Sequence, residues 1–241
     1  MKQLATRWRL GALVCALLIG LSVDIGAAAS LTLTSQALTP YRTCTLTATP
    51  VATPIVADAV VQQATPAGNF GALTSMNVAS GVGVNRRMYL RYDLSQCIPA
   101  IPSTAVVRLA SLRLFSTALP AACRTIDLFR VTAAWGETTI TWNNQPFGTT
   151  INNPPTAARS GSFDVGTPAG CQNLTNNAYV SGATVTADVG AFVAGTSTNF
   201  GWMLRDDAEN SATTRTWTAS TKELGTLAQA PQLIVTYVTL P

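Results

Sequence analysis

The sequence predicts an all-β fold, a sandwich or barrel of short antiparallel strands. Three observations predict it. From Val56 onward, short alternating apolar runs are separated by Gly, Asn and Pro clusters. No segment keeps a 3.6-residue apolar period for three turns. Thr is abundant, 35 of 241 residues, and its branched side chain favours strands and turns over helix interiors. Hydrophobic residues reach 47%, enough for a core, while charged residues are only 11%.

In chain order, the expected strands are 56–62, 73–79, 86–94, 106–115, 125–131, 138–142, 160–165, 183–190, 200–205, 213–219 and 232–239. Only 188–194 fits a single helical turn. Period two fixes the faces of the clearest strands. Met88, Leu90, Tyr92 and Leu94 share one face, expected inward. Arg87, Tyr89, Arg91 and Asp93 share the other, expected outward. Ala110, Leu112 and Leu114 point in, with Ser111, Arg113 and Phe115 out. Leu233, Val235 and Tyr237 point in. Asn-Phe-Gly occurs at 69–71 and again at 199–201, and marks a tight turn in each case.

The N-terminus reads as an export signal. Lys2, Arg7 and Arg9 precede an apolar run from Leu10 to Val23, and Ala27-Ala28-Ala29 offers small-residue cleavage after Ala29. That run is shorter than the roughly 20 residues a membrane span needs. The expected organisation is a signal peptide at 1–29, a Thr/Pro-rich segment at 30–55 and one β domain at 56–241. Within the middle segment, Leu31–Thr34 alternates like a strand, so it reads either as a stalk or as part of the body. A secreted or cell-surface location follows, with no stable membrane insertion after cleavage.

Removing the signal leaves twelve basic and ten acidic groups, a net charge of +2, and eleven of the twelve are Arg. No basic run is interleaved with aromatics, so nucleic-acid binding has little support. Cys44, Cys97, Cys123 and Cys171 remain, an even count that suggests two disulfides in an exported chain. If 87–94, 106–115 and 125–131 form a meander, Cys97 and Cys123 lie at opposite ends of it. Their partners are then Cys44 and Cys171, in either order. There is no His, which excludes Ser–His–Asp and Cys–His triads.

Several blocks follow in order: DAVVQQATPAGNFGALTSMNV, RRMYLRYDLS, VTAAWGETTITWNNQPF, TADVGAFVAGTSTNFGWML and APQLIVTYV. Together they resemble the DNRLRE domain, also classed as carbohydrate-binding module family 96, over residues 58–238. The block Trp135-Gly136-Glu137 through Thr141-Trp142-Asn143-Asn144-Gln145-Pro146 is the most specific part. The resemblance implies a jelly-roll-like β-sandwich in a secreted or surface protein that binds alginate-type polysaccharide. The family's naming hexapeptide is absent, 166–182 reads as an insertion, and 216–223 matches loosely.

The expected ligand face is Arg87, Tyr89 and Arg91, with Arg113 on the neighbouring strand if 86–94 and 106–115 pair. Phe115, Phe129 and Arg205 extend it. Guanidinium forks suit carboxylates and Tyr can stack on a sugar ring, so the row suits an acidic polysaccharide. The alternative is an ordinary solvated face, with Arg91 pairing Asp93. Trp135, Trp142, Trp202 and Trp217 read as core residues rather than exposed sugar platforms. Asp206, Asp207, Glu209 and Asn210 cluster oxygen ligands that suit calcium, against a solvated acidic turn, and Asp58 is a further candidate ligand. No cofactor is expected beyond such a structural ion. Glu137 has no evident partner acid for glycosidase chemistry, so a non-catalytic protein is expected. Asn173-Leu174-Thr175 forms a glycosylation sequon. The rival reading is a structural or adhesive surface protein whose N-terminal strand completes a neighbour's sheet, which requires self-association.

Overall fold

The alternating runs form strands in a computed structural model that describes residues 40–47 and 55–239. The signal segment and the Leu31–Thr34 alternation lie outside these residues. The strands are β1 (Arg42–Thr47), β2 (Val56–Gln62), β3 (Ser75–Ser80), β4 (Arg86–Tyr92), β5 (Val106–Arg113), β6 (Phe115–Ala118), β7 (Arg124–Arg130), β8 (Gly161–Val165), β9 (Ala178–Tyr179), β10 (Trp202–Asp206), β11 (Arg215–Ser220) and β12 (Gln232–Val238). All their pairings are antiparallel.

One row runs β8-β7-β10-β4-β2. A single pair, Ala79↔Arg86, joins it to β3, which continues into β11, β6 and β9. A three-stranded sheet, β1-β12-β5, completes the fold as a β-sandwich. The run 106–115 breaks at Leu114: β5 pairs with β12 and β6 with β11, so one stretch of chain serves both sheets.

The main core gathers the inward faces. Met88, Leu90 and Tyr92 of β4 and Trp202 and Leu204 of β10 join Ala110 and Leu112 of β5, Trp217 of β11, and Leu233, Val235 and Tyr237 of β12. Met88, Leu90, Tyr92, Ala110, Leu112, Leu233, Val235 and Tyr237 are positions that period two assigns inward; Leu94, also assigned inward, lies beyond β4 in the 3-10 turn Leu94–Gln96 and is only partly buried.

The structure corrects four expectations about the fold. Residues 183–190 do not form a strand; Thr186–Val193 is helix α1. Val185, Val189 and Phe192, spaced by four and three, bury one stripe, and so short a helix shows too little periodicity to stand out. Residues 138–142 form a turn, with Thr139 and Ile140 amides both donating to the Gly136 carbonyl. The meander is absent, because β4 and β5 lie in different sheets. Finally, β1 takes part of the 30–55 segment into the sandwich along the edge of β12, so the body begins before Val56.

The disulfides are Cys44–Cys97 and Cys123–Cys171, with Cα atoms 5.7 and 5.6 Å apart. The exclusion of a Cys97–Cys123 bond therefore holds although its meander premise fails. The first bond ties β1 to the turn after β4. The bonds bridge separations of 53 and 48 residues. By loop entropy each is worth about 4 kcal/mol.

Candidate functional site

The long loop 131–160 decides what the outer face of the β2-β4-β10-β7 row can do. It folds back over that face and builds a second core. Trp135, Ile140 and Trp142 from the loop pack on Ala57, Ala59 and Val61 of β2, Tyr89 of β4, Phe129 of β7 and Met203 of β10. The alternation of β4 is as expected, but its second face is covered rather than solvated. Arg87, Tyr89 and Arg205 are 0% exposed and Phe129 is 1% exposed. They do not present a ligand face.

Arg87 is held entirely by the protein. Its guanidinium pairs bidentately with Glu209, donates to Gln145 Oε1 and to the Gly148 and Thr150 carbonyls, and lies 4.7 Å from the Trp142 ring centre. All five N–H donors are thereby used. Arg205 donates to the Asp206, Asp207 and Pro154 carbonyls and stacks 4.8 Å over Phe129. Burial lowers its pKa from the ordinary guanidinium value. Tyr89 donates to Gln145 Oε1, and burial pushes its hydroxyl pKa up.

The remaining expected ligand residues are scattered. Arg91 is half-buried at 5.6 Å from the Trp135 ring centre. Asp93 does not pair with Arg91 by hydrogen bonding. It caps the turn at 94–96 by accepting from the Ser95 amide and hydroxyl, and these bonds hold its carboxyl below the usual range. Arg113 belongs to the other sheet, stacked 4.5 Å over Tyr179, which also meets Phe115 edge-on. All four Trp residues in the body are buried, as expected. Three of them have the indole N–H bonded: Trp135 to the Phe200 carbonyl, Trp202 to Asp188 and Trp217 to Ser116.

The acidic run 206–210 does not converge on an ion. Asp206 and Asp207 pair with Arg124, Glu209 turns to Arg87, and Asn210 Oδ1 accepts from Asn85 and the Gly83 amide. Asp58, in contrast, meets Glu137 and Glu223. The sequon asparagine is half-buried, its amide donating to the Asp164 and Ser181 carbonyls.

The surface feature with binding geometry lies where the loop leaves β7 and returns to β8. A groove of about 500 Å³ is lined by Phe129, Arg130, Phe147, Pro154, Arg159 and Asp188, among others. That volume suits a small ligand or a few sugar units. The side chains of Arg130 and Arg159 are 39% and 40% exposed. Each is anchored on one side, Arg130 to Asp188 at 3.5 Å and Arg159 to Asp127 at 3.0 Å. A second depression shares Arg130 and Thr132 and extends to Thr198 and Phe200. The Phe200 carbonyl holds Trp135, which borders a third depression with Asn144. Arg91 stands over that same Trp135, so three Arg residues line or border this string of depressions. The length of the loop is a signal that could have found it, since long connections without structure of their own are commonly functional, but the strand expected at 138–142 hid that length. Nothing singled out Arg130 or Arg159.

The model of carbohydrate-binding module family 96 matches residues 49–237. The chain belongs to carbohydrate-binding module family 96. No curated protein matches the module. The matched span runs from β2 into β12 and includes the groove, while β1 precedes it. The segment 166–182 falls inside the span, pinned to the module by Cys123–Cys171 and by β9 against β6. Two disulfides fit an extracellular module, and no helix among the described residues is long and apolar enough to cross a membrane.

Proposed function

We propose that this module is exported and binds an acidic polysaccharide, without catalysis, through the groove between loop 131–160 and β7. The observation that carries the reading is the paired exposure of Arg130 and Arg159 beside the half-buried Phe147. Each Arg uses only part of its donor set on its Asp anchor, and the anchor fixes the direction of the rest. A fixed guanidinium fork recognises a uronate carboxylate bidentately, and the apolar groove wall receives the carbon face of the sugar ring. The two Asp residues at the groove are engaged by Arg, which suits anchoring.

The test is titration of the folded, oxidised module with alginate, pectate, a neutral glucan and xylan at two salt concentrations. The expected result is binding of the polyuronates that weakens with salt. Arg130→Ala combined with Arg159→Ala should cut affinity about tenfold or more, since a hydrogen bond to a charged group contributes about 1.5–3 kcal/mol. Equal binding of the neutral glucan, or a folded double variant that binds like the parent, overturns the reading.

A further inference from the structure

Away from the groove, one set of acidic side chains converges with buried oxygens left unpartnered. Asp58 on β2, Glu137 in the turn after Trp135, and Glu223 in the short 3-10 turn Lys222–Leu224 each bring a carboxylate oxygen within 4.8 Å of the others. Lys222 is the cation among them. Its ammonium bonds Oε1 of Glu137 and Oε1 of Glu223, and its amide donates to Asp58 Oδ2 at 3.1 Å. The Asp58 amide donates in turn to Glu137 Oε1 at 3.2 Å.

These bonds leave specific atoms over. Asp58 is fully buried, and its Oδ1 has no hydrogen-bond partner among the described residues. Glu223 Oε2 is buried and equally unpartnered. The buried hydroxyl of Tyr92, outside the acidic set, also has no partner, and it lies near enough to Asp58 to feel its charge. Ionised together, as a bound cation would hold them, the three carboxylates would leave a net charge of −2 against the one ammonium. A buried carboxylate oxygen with neither donor nor cation is costly. A divalent cation presented to these free oxygens would supply both the missing partners and the balancing charge.

We propose that Asp58, Glu137 and Glu223 bind one divalent cation of the calcium class, with Lys222 retained on their opposite oxygens. The donor set is all oxygen, without His or Cys, which suits a hard cation over zinc or copper. Calcium tolerates an irregular carboxylate cage completed by waters, whereas magnesium demands near-octahedral ligands. The cage is partly fixed in advance. Asn69 donates to the Glu137 carbonyl at 2.8 Å, and a Cβ at Gly71 would fall 2.2 Å from that same carbonyl, so the first Asn-Phe-Gly turn presses directly on the Glu137 backbone. The bound cation ties β2 to two turns that come from distant parts of the chain. It is separate from the groove, so it stands or falls independently of polysaccharide binding.

The test uses the whole module after chelation and dialysis. Calcium is titrated while thermal unfolding is followed, and Tb³⁺, a luminescent substitute for calcium, is titrated with emission excited through the aromatic residues. The expected result is one saturable site per chain, with Tb³⁺ emission displaced by calcium. Calcium at a hundredfold excess over its Kd should raise Tm by about 5–10 °C. Glu223→Gln and Glu137→Gln should each abolish the Tb³⁺ emission and the Tm shift, while the Arg130→Ala, Arg159→Ala variant keeps both. A parent whose Tm ignores both chelator and calcium overturns the proposal. So does Tb³⁺ emission that persists in both Gln variants. The parent measurement alone decides the matter if a Gln variant does not fold.

Discussion

Arg87 and Glu209 form a fully buried bidentate ion pair, Nε to Oε1 at 2.7 Å and Nη2 to Oε2 at 2.8 Å. The pair joins β4 to the segment after β10 and, through further bonds to Gly148, Thr150 and Asn152, fixes the far half of loop 131–160. An Arg on a strand face with an aromatic two residues on looks like a ligand row, yet here it fastens a lid. Removing one partner leaves the other charge buried and unpaired. Arg87→Ala is therefore expected to destabilise the module by about 3–5 kcal/mol. Denaturant unfolding measures this, and a loss below about 1 kcal/mol would show that the pair does not hold the loop.

Arg113 offers the opposite contrast. It was grouped with Arg87 and Arg91 on the premise that β4 and β5 pair, and they do not. Its guanidinium lies over Tyr179 of the edge strand β9, and it lines neither the groove nor its extension. Arg113→Ala should therefore leave polyuronate affinity within about twofold of the parent, with the surface-substitution limit of roughly 0.5 kcal/mol on stability. Arg91→Ala, beside Trp135, should weaken binding modestly. Calorimetric titration of the two single variants settles the ranking, and a larger loss for Arg113 than for Arg91 would move the site to the other sheet.

The strands and their inward faces were legible because period two is local. Leu90, Leu112 and Val235 needed only their neighbours to be placed in the core. The Asn-Phe-Gly turns were legible for the same reason, and in both the Asn Oδ1 accepts from the Gly amide two residues on. What covers the second face was not local. Tyr89 and Arg87 alternate like solvated residues, and only the path of loop 131–160 buries them. Arg130 and Arg159 were invisible because their proximity depends on β7 pairing with β8 across that loop. Asp58, Glu137 and Glu223 meet from separations that no motif spans; the sequence offered Asp58 only as a further candidate beside the 206–210 run, which turns elsewhere.

Gly201 tests the second of these turns. It ends the turn into β10 at φ +76°, where a Cβ would fall 1.9 Å from the Leu90 carbonyl oxygen of β4. Gly225 has the same φ of +76° but open space around its Cα. Gly225→Ala should cost only the left-handed penalty, about 1–2 kcal/mol. Gly201→Ala adds a backbone clash that no side chain can relieve and should cost at least about 2 kcal/mol more. Paired urea unfolding curves give the difference directly, and equal losses would mean that β4 and β10 yield to accommodate the methyl group.

Tyr89 sets an alkaline limit on the lid. Its hydroxyl is buried against Gln145 and Trp135, and desolvation raises its pKa above the ordinary tyrosine value, with Arg87 offsetting part of the rise. Above a pH of about 10 the unfolded chain releases this proton while the folded chain keeps it. The unfolded state then binds fewer protons, so stability present below pH 10 is lost as pH rises, at a rate that approaches about 1.4 kcal/mol per pH unit from this group well above pH 10. Tyr89→Phe removes the titrating hydroxyl. It leaves Gln145 Oε1 bonded to Arg87, so its cost near neutrality should be only about 1 kcal/mol. Between pH 10 and 11 the parent should lose about 1 kcal/mol more than the Phe variant, because the unfolded hydroxyl is only half ionised at pH 10 and the other tyrosines contribute equally to both. Urea unfolding of the two proteins at these pH values measures the difference, and parallel losses would mean that the hydroxyl reaches solvent through the loop.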